Sequence, residues 1–316
     1  MKMILDLDTG IDDALALSCV LGTFEIDLVG VVCSYGNVEV EQAVKNTQKI
    51  LSLLGREDIP VIRGASTPMG KDMFTVNPLS RLVHGTDGIG DTGLQDVDLP
   101  VLNIPAESFF HDMALKYGSD LVIVTEGPLT NLASTVREYP DFKKSGVRIV
   151  TMGGALCVEG NMTPVAETNL FQDPESDNIV FASELECTLV PLDVSHRTLL
   201  TRKETAGWRE GAHPVGLFLA DMTDYYIAFH EKVHPEMHGC ALHDPLAAFV
   251  PLYPEIVTTI PCSLKVLTEG YNAGRCVMDL ESMAEGKRNV SLCLDVRETE
   301  FLEKFNAAIV SLIDAS

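Results

Sequence analysis

Basic residues are scarce in this chain. Its 316 residues include 23 Lys and Arg against 46 Asp and Glu, a formal charge of −23. That balance argues against nucleic acid and anionic membrane surfaces as partners, and favours neutral or cationic small molecules. No apolar stretch reaches the length that spans a bilayer. The N-terminal apolar run carries one Lys and is broken at Asp6, which does not match a secretory signal. No C-x-x-C pair occurs among the eight cysteines, so a thiolate zinc site is not expected. They are scattered through apolar runs, as buried reduced thiols of a cytoplasmic protein would be. There is no internal repeat and no low-complexity segment. Hydrophobic residues make up 46%, enough for a sizeable core, and the length allows one large α/β domain or two small ones.

What the chain does have is concentrated at its start, MKMILDLDTGIDDALAL. The apolar run Met3-Ile4-Leu5 reads as a buried strand, and Ala14 onward reads as a helix. Between them stand Asp6, Asp8, Asp12 and Asp13, with no Lys or Arg among them. Asp6 and Asp8 are two apart and so share a strand face. Asp12 and Asp13 fall in the first helical turn, near its positive end. The helix dipole suits one or two of these charges. Four close together in a dry place raise one another's pKa. A divalent cation relieves that repulsion, and an all-oxygen set suggests Ca²⁺ or Mg²⁺. The EF-hand pattern fails, because its Gly and Glu positions hold Ile11 and Leu17. The D-x-D-x-T start of aspartyl-phosphate hydrolases is approached by Asp6-Leu7-Asp8-Thr9-Gly10 and remains a second reading.

Further along, Ile26–Cys33 reads as a strand and Val40–Leu54 as a helix stopped by Gly55. Pro60-Val61-Ile62 reads as another strand. This βαβαβ order points to a parallel sheet with helices on its faces. Residues 64–105 show little periodicity and read as a long loop holding His84-Gly85-Thr86-Asp87-Gly88. A helix over 107–117 and a strand over 121–124 follow. Then come the turn Gly127-Pro128, with Pro128 at the start of a helix, and a strand over 147–152. Residues 160–169, rich in Asn and Thr, read as a loop whose donors and acceptors suit a polyhydroxylated ligand. Asp173-Pro174-Glu175 opens a helix, and 187–192 forms a strand ending in Asp193-Val194-Ser195-His196. Residues 201–235 are helical with a break near His213-Pro214. The aromatic patch Tyr225, Tyr226 and Phe229 has core spacing. Leu242-His243-Asp244 precedes a helix begun by Pro245. Residues 258–296 read as strands and a hairpin, and 299–314 as a closing helix.

Five of these segments, in this order, resemble the calcium-dependent nucleoside hydrolases of the inosine-uridine type: DLDTGIDDALAL, GPLTNLA, MGGA…GNMTPVAETN, LDVSH and LHDPLA. The resemblance runs essentially the full length. It implies a Rossmann-like, open, mostly parallel α/β sheet flanked by helices, with the active site at the carboxyl ends of the strands. It implies hydrolysis of the N-glycosidic bond of purine or pyrimidine ribonucleosides, to ribose and free base, by a Ca²⁺-bound water that Asp8 activates. Asp8, Asp13, Asp244 and the Glu126 carbonyl would hold the ion. Asp12, Asn37, Asn161, Glu167, Asn169 and Asp244 would hold the substrate. His243, with His84 as a second pocket histidine, would assist the leaving base. Family members are commonly homodimers or homotetramers. The chain departs from many relatives at Thr9, where Pro is frequent and a looser turn is expected, and at Thr168, often aromatic. Its one Trp, Trp208, lies away from these motifs, so base stacking on Trp is not expected. Tyr226 and Phe229 would line the base side instead. A third reading, a ribose-binding protein without turnover, conflicts with the full set of candidate catalytic groups.

Overall fold

The computed structural model describes residues 1–316. A nine-stranded sheet forms its centre. Strands β1 (Lys2–Leu7), β2 (Asp27–Cys33), β3 (Val61–Arg63) and β4 (Val101–Leu102) run outward in sequence order. The chain then returns to the other side of β1 with β5 (Leu121–Thr125), β6 (Arg148–Met152) and β7 (Cys187–Val190). Two small antiparallel pairs lie apart from the sheet: β8 (Leu199–Leu200) with β9 (Cys240–Ala241), and β11 (Leu264–Val266) with β12 (Cys276–Met278). The remaining strands, β10 (Val257–Cys262) and β13 (Val290–Val296), close the sheet in the order β10-β13-β7-β6-β5-β1-β2-β3-β4. Every pairing is parallel except that of the edge strand β10 with β13. The strand order reverses at β1, and a crevice opens there at the carboxyl ends, as open α/β sheets require.

The helices are α1 (Ile11–Leu21), α2 (Val40–Leu53), α3 (Pro78–His84), α4 (Ala106–Tyr117), α5 (Thr130–Glu138), α6 (Thr168–Gln172) and α7 (Pro174–Phe181). They continue with α8 (Leu192–Ser195), α9 (Arg202–Trp208), α10 (Pro214–Val233), α11 (His243–Phe249), α12 (Leu280–Ala284) and α13 (Glu298–Ala315). Alternation along β1 divides the core. Met3, Leu5 and Leu7 pack into one apolar cluster with residues of α1, α10, α11 and α13. Ile4 packs into the other, with residues of α4, α5 and α7. Helix α1 lies against α10, α11 and α13, which is why its apolar residues are not confined to one stripe.

Several expectations are corrected. The long loop holds α3, started by Asn77, whose side chain accepts from Leu79 N at 2.8 Å, and by Pro78 in the first turn. It also holds the edge strand β4. Residues 168–172 are helical, because the Glu167 carboxylate caps the backbone N–H groups of Asn169 and Leu170. Helix α5 begins at Thr130, two residues after Pro128, and α11 begins at His243, two before Pro245. The strand read over 187–192 stops at Val190, and α12 fills part of the last strand-rich region. The turn at Thr9 is not loose. Thr9 Oγ1 lies 2.8 Å from Thr47 Oγ1, and the Thr9 carbonyl accepts from Asn46 Nδ2 at 3.0 Å.

Candidate active site

The crevice at the carboxyl ends of β1, β2, β5 and β6 is a cavity of about 540 Å³. Its floor is built where β1 passes into α1. Asp13, in the first turn, folds back so that Oδ2 accepts Gly10 N at 2.8 Å and Oδ1 accepts Asp8 N at 3.1 Å. Asn37, just past β2, donates to Asp8 Oδ2 from its backbone at 2.8 Å, and to Asp8 Oδ1 from its amide at 3.0 Å. Gly36 permits this approach, since a Cβ there would stand 1.8 Å from Asp8 Oδ2. Asp244 enters from the first turn of α11. Ligand oxygens of Asp12, Asp13 and Asp244 all lie within 4.8 Å of one another.

This floor is negative and dry. Burial, then Asp13 and Asp12, push the Asp8 carboxyl well above the usual carboxylate range. Burial and then Asp12 push Asp13 up to about 7. Asp244 and Glu126 are likewise raised well above, first by burial and then by the surrounding carboxylates. Asp12 Oδ1 and both carboxylate oxygens of Glu126 are buried without a hydrogen-bond partner. No Lys or Arg lines the cavity. Buried like charges with free oxygen lone pairs and no basic partner fit a hard divalent cation. The grouping differs from the expected ligand set in two respects. Asp12, expected to hold ribose, lies with Asp13 and Asp244. Asp8 falls outside that close group, below the cavity, where Asn37 donates to both its oxygens. The Glu126 carbonyl accepts from Asn169 Nδ2 at 3.0 Å.

One wall carries acceptors. Glu167 takes Asn169 N at 2.7 Å on Oε1, and Gly154 N at 2.8 Å on Oε2. Asn169 spends its amide hydrogens on the carbonyls of Glu126 and Met152, leaving Oδ1 to accept. The Asn161 Oδ1 accepts both the backbone N–H and the hydroxyl of Thr168, which leaves the Asn161 amide hydrogens free. Thr168 therefore orients Asn161. Such a set of positioned donors and acceptors suits a sugar.

The opposite end is made of imidazoles and apolar rings. His84 ends α3, and its Nδ1 accepts the free N–H of Ile11 in the first turn of α1 at 3.1 Å. A backbone N–H only donates, so the neutral ring carries its proton on Nε2. Burial lowers the His84 pKa, against the pull of Asp12. Burial and then His196, His230 and His84 hold His243 well below its ordinary value. Tyr226 and Phe229 line this end, with the Tyr226 ring 5.7 Å from that of His84.

A model of the inosine-uridine preferring nucleoside hydrolases matches residues 3–303. The chain belongs to that nucleoside hydrolase family. It is 33% identical over 304 residues to a pyrimidine-specific ribonucleoside hydrolase of Enterobacter sp., with 96% of each chain covered. The structure of a purine-preferring ribonucleoside hydrolase from Gardnerella vaginalis matches it with a TM-score of 0.96 at 41% identity, over 100% of both chains. A plant nucleoside hydrolase matches with a TM-score of 0.92 at 28% identity, over 98% of each chain. The reaction of this nucleoside hydrolase is the hydrolysis of ribonucleosides to ribose and free base.

Within the nucleoside hydrolase site, the cavity lining brings together Asp12, Asn37, Glu126, Asn161, Glu167, Asn169, His84, His243 and Asp244. Asp8 and Asp13 lie beneath it, both fully sealed. Asp6 is not a nucleophile facing the cavity. It is buried, and its Oδ1 accepts from Asn131 Nδ2 at 2.9 Å. With no Lys or Arg at hand to grip phosphate, the aspartyl-phosphate reading is set aside. Trp208 is buried elsewhere and donates to Asn306 Oδ1 at 2.8 Å. Three lining histidines were given no role in the sequence analysis: His196, His230 and His234. The His230–His234 spacing is one helical turn of α10, which was a usable signal. His196 follows α8, and only the tertiary fold brings its ring within 5.3 Å of the His243 ring. No helix is long and apolar enough to cross a membrane.

Proposed function

We propose that this chain cleaves the N-ribosidic bond of purine and pyrimidine ribonucleosides at one Ca²⁺ site in the acidic floor, with inversion at the anomeric carbon. The observation that carries this reading is the set of buried carboxylates without a basic partner, facing a wall of sugar-type donors and acceptors. Asp8, Asp13, Asp244 and the Glu126 carbonyl would hold the ion, with Asp12 added by its place beside Asp13 and Asp244. Bound there, a Ca²⁺ ion would acidify a water and chelate the ribose diol.

The chain's own residues do the rest. Asp8 takes the proton of the attacking water, a role supported by burial, which raises its basicity. Asp12, Asn37, Asn161, Glu167 and Asn169 grip the ribose hydroxyls. As the bond to the base lengthens, the sugar gains oxocarbenium character. The surrounding carboxylates favour that positive charge over the neutral substrate, which is the differential binding that gives rate. His243 donates a hydrogen bond to the departing base, and His84 supports it. Tyr226 and Phe229 cover the base. The relatives' names span purine and pyrimidine preferences, which supports a base end that takes both.

Residues 1–316 act as one domain, in a homodimer or homotetramer, in the cytoplasm. Eight free cysteines, seven of them buried, support the last point. The strong acidic balance supports a small-molecule nucleoside as partner in place of nucleic acid or membrane. The test is ribose release from inosine, adenosine, guanosine, uridine and cytidine, with and without a chelator. Release that stops on chelation and returns with Ca²⁺ supports the reading. Tight ribose binding without release from any of the five would favour a binding protein.

A further inference from the structure

His243 opens α11, and its Nδ1 lies 2.8 Å from Ser195 Oγ. Ser195 closes α8 and is fully sealed from solvent. Its hydroxyl has no other hydrogen-bond partner. The two segments are held together independently of this pair. Thr198 Oγ1 donates to Ser195 O at 2.8 Å and to Leu242 O at 3.2 Å, and Leu242 N donates to Thr198 O at 2.9 Å. The Ser195–His243 contact is therefore imposed by the backbone around it. With Nδ1 taken, Nε2 is the nitrogen that the ring offers to the cavity it lines.

A hydroxyl has one hydrogen to donate, and a neutral imidazole has one N–H and one bare nitrogen. Two arrangements are open. If Nδ1–H donated to Ser195, the serine O–H would have no acceptor among the protein groups, at a residue sealed from solvent. Buried donors left unmet are strongly disfavoured. If Ser195 donates to Nδ1, both groups are satisfied and the ring proton sits on Nε2. We propose that Ser195 is a positioning residue that holds His243 as the Nε2–H tautomer, so that the ring meets the departing base with a donor. The inference rests on the reading of His243 as the residue beside the base.

The same result is reached at His84 by other means, since the Ile11 backbone N–H occupies its Nδ1. His84 and His243 then both present N–H groups. A departing base gathers negative charge on its ring nitrogen, which a donor stabilises and a bare nitrogen repels. As His243 Nε2–H is drawn to that charge, electron density builds at Nδ1, and the Ser195 hydrogen bond strengthens with it. Its value is thus greater in the transition state than before it.

The test uses the metal-replete protein, Ser195→Ala and Ser195→Thr. Loss of the hydroxyl should lower kcat on inosine or uridine by about 10- to 100-fold with little change in KM. A nitrophenyl riboside, whose leaving group needs no hydrogen bond, should lose less than about threefold. Ser195→Thr, which keeps the hydroxyl, should recover most of the nucleoside rate. Equal loss on both substrates overturns the proposal, since loosened packing acts on both alike. The wild-type protein gives a second readout that does not depend on how the variants fold. With ¹⁵N-labelled histidine, the His243 resonances should place the proton on Nε2, and a proton on Nδ1 overturns the proposal. His243→Ala separates the two layers. If it loses both substrates equally, the base-side role of His243 itself falls. If it spares the nitrophenyl riboside while the wild-type proton is on Nδ1, only the part assigned to Ser195 falls.

Discussion

Replacing Gly36 by Ala places one methyl group against the Asp8 carboxylate. The added Cβ would stand 1.8 Å from Asp8 Oδ2, 2.6 Å from Cγ and 2.8 Å from Cβ. Ordinary carbon contacts begin near about 3.5 Å, so the carboxylate must withdraw by roughly 1.5 Å. It has little room to do so. Asn37 holds both oxygens, at 2.8 and 3.0 Å, and Gly127 lies close behind. Losing two hydrogen bonds to a charged group, at about 1.5–3 kcal/mol each, puts the cost to stability at about 3–6 kcal/mol. A displacement near 1 Å at a catalytic group lowers kcat by on the order of a hundredfold. Urea denaturation and ribose release measure both effects. Gly207→Ala in α9 is the control, because nothing lies within 4 Å of its added Cβ. There the helix gains about 0.5–1 kcal/mol and activity stays unchanged. A Gly36→Ala protein with wild-type urea midpoint and wild-type kcat would refute the packing of Asp8 under Gly36 and Asn37.

Three further outcomes are expected. Asp8→Ala should lower kcat by about 10²–10⁴-fold as loss of the base, and near wild-type turnover would reject that role. Gly10→Ala puts a Cβ 2.7 Å from His84 Nδ1 and 2.8 Å from Asn37 Nδ2, so it should cost about 1–3 kcal/mol and also reduce kcat. A thermal scan that leaves its melting temperature unchanged would count against the His84–Ile11 contact. Asp177 in α7 is buried with neither oxygen partnered, and burial, then Asp173, raise its pKa well above the usual range. Its unfolded pKa is about 4, so the native state is favoured at low pH and loses stability as pH rises from there through the raised folded value. Asp177→Asn removes that loss, so its melting temperature should gain on the wild type between pH 5 and pH 8. A constant difference across that range would contradict the buried, unpaired carboxyl.

The centre of the sheet was legible because β1, β5 and β6 are short runs buried on both faces, and such runs stay largely apolar; the exposed two-residue edge strand β4 carried no such signal. The acidic turn after β1 was legible for a related reason. Carboxylates that follow a buried strand without basic partners need a cause. What escaped was short or imposed from outside. Helix α3 has only seven residues, with Leu79 and Leu82 partly exposed, so no stripe marks it; Asn77-Pro78 was its one signal. Helix α6 exists because Glu167 caps it, and in sequence that carboxylate reads only as a ligand. The grouping of Asp12 and Asp13 with Asp244 was not legible from the N-terminal motif alone, because Asp244 comes from α11, far away in sequence. His230 and His234, at the end of α10 and just beyond it, were overshadowed by a helix whose period core packing already explained. His196 was visible only as the end of the LDVSH segment, and its place beside His243 depends on the approach of α8 to α11, a contact between residues far apart in sequence.

In the proposed function the acidic floor holds one Ca²⁺ ion, and ribonucleoside hydrolysis depends on it. The direct measurement strips the protein of metal, titrates Ca²⁺ back, and counts bound ions per chain while ribose release from inosine and uridine is followed in the same samples. Activity rising in step with a single bound ion, and neither binding nor activity in Asp244→Asn, is the predicted result. Full activity in the stripped protein, or Ca²⁺ binding that leaves ribose release unchanged, would contradict it.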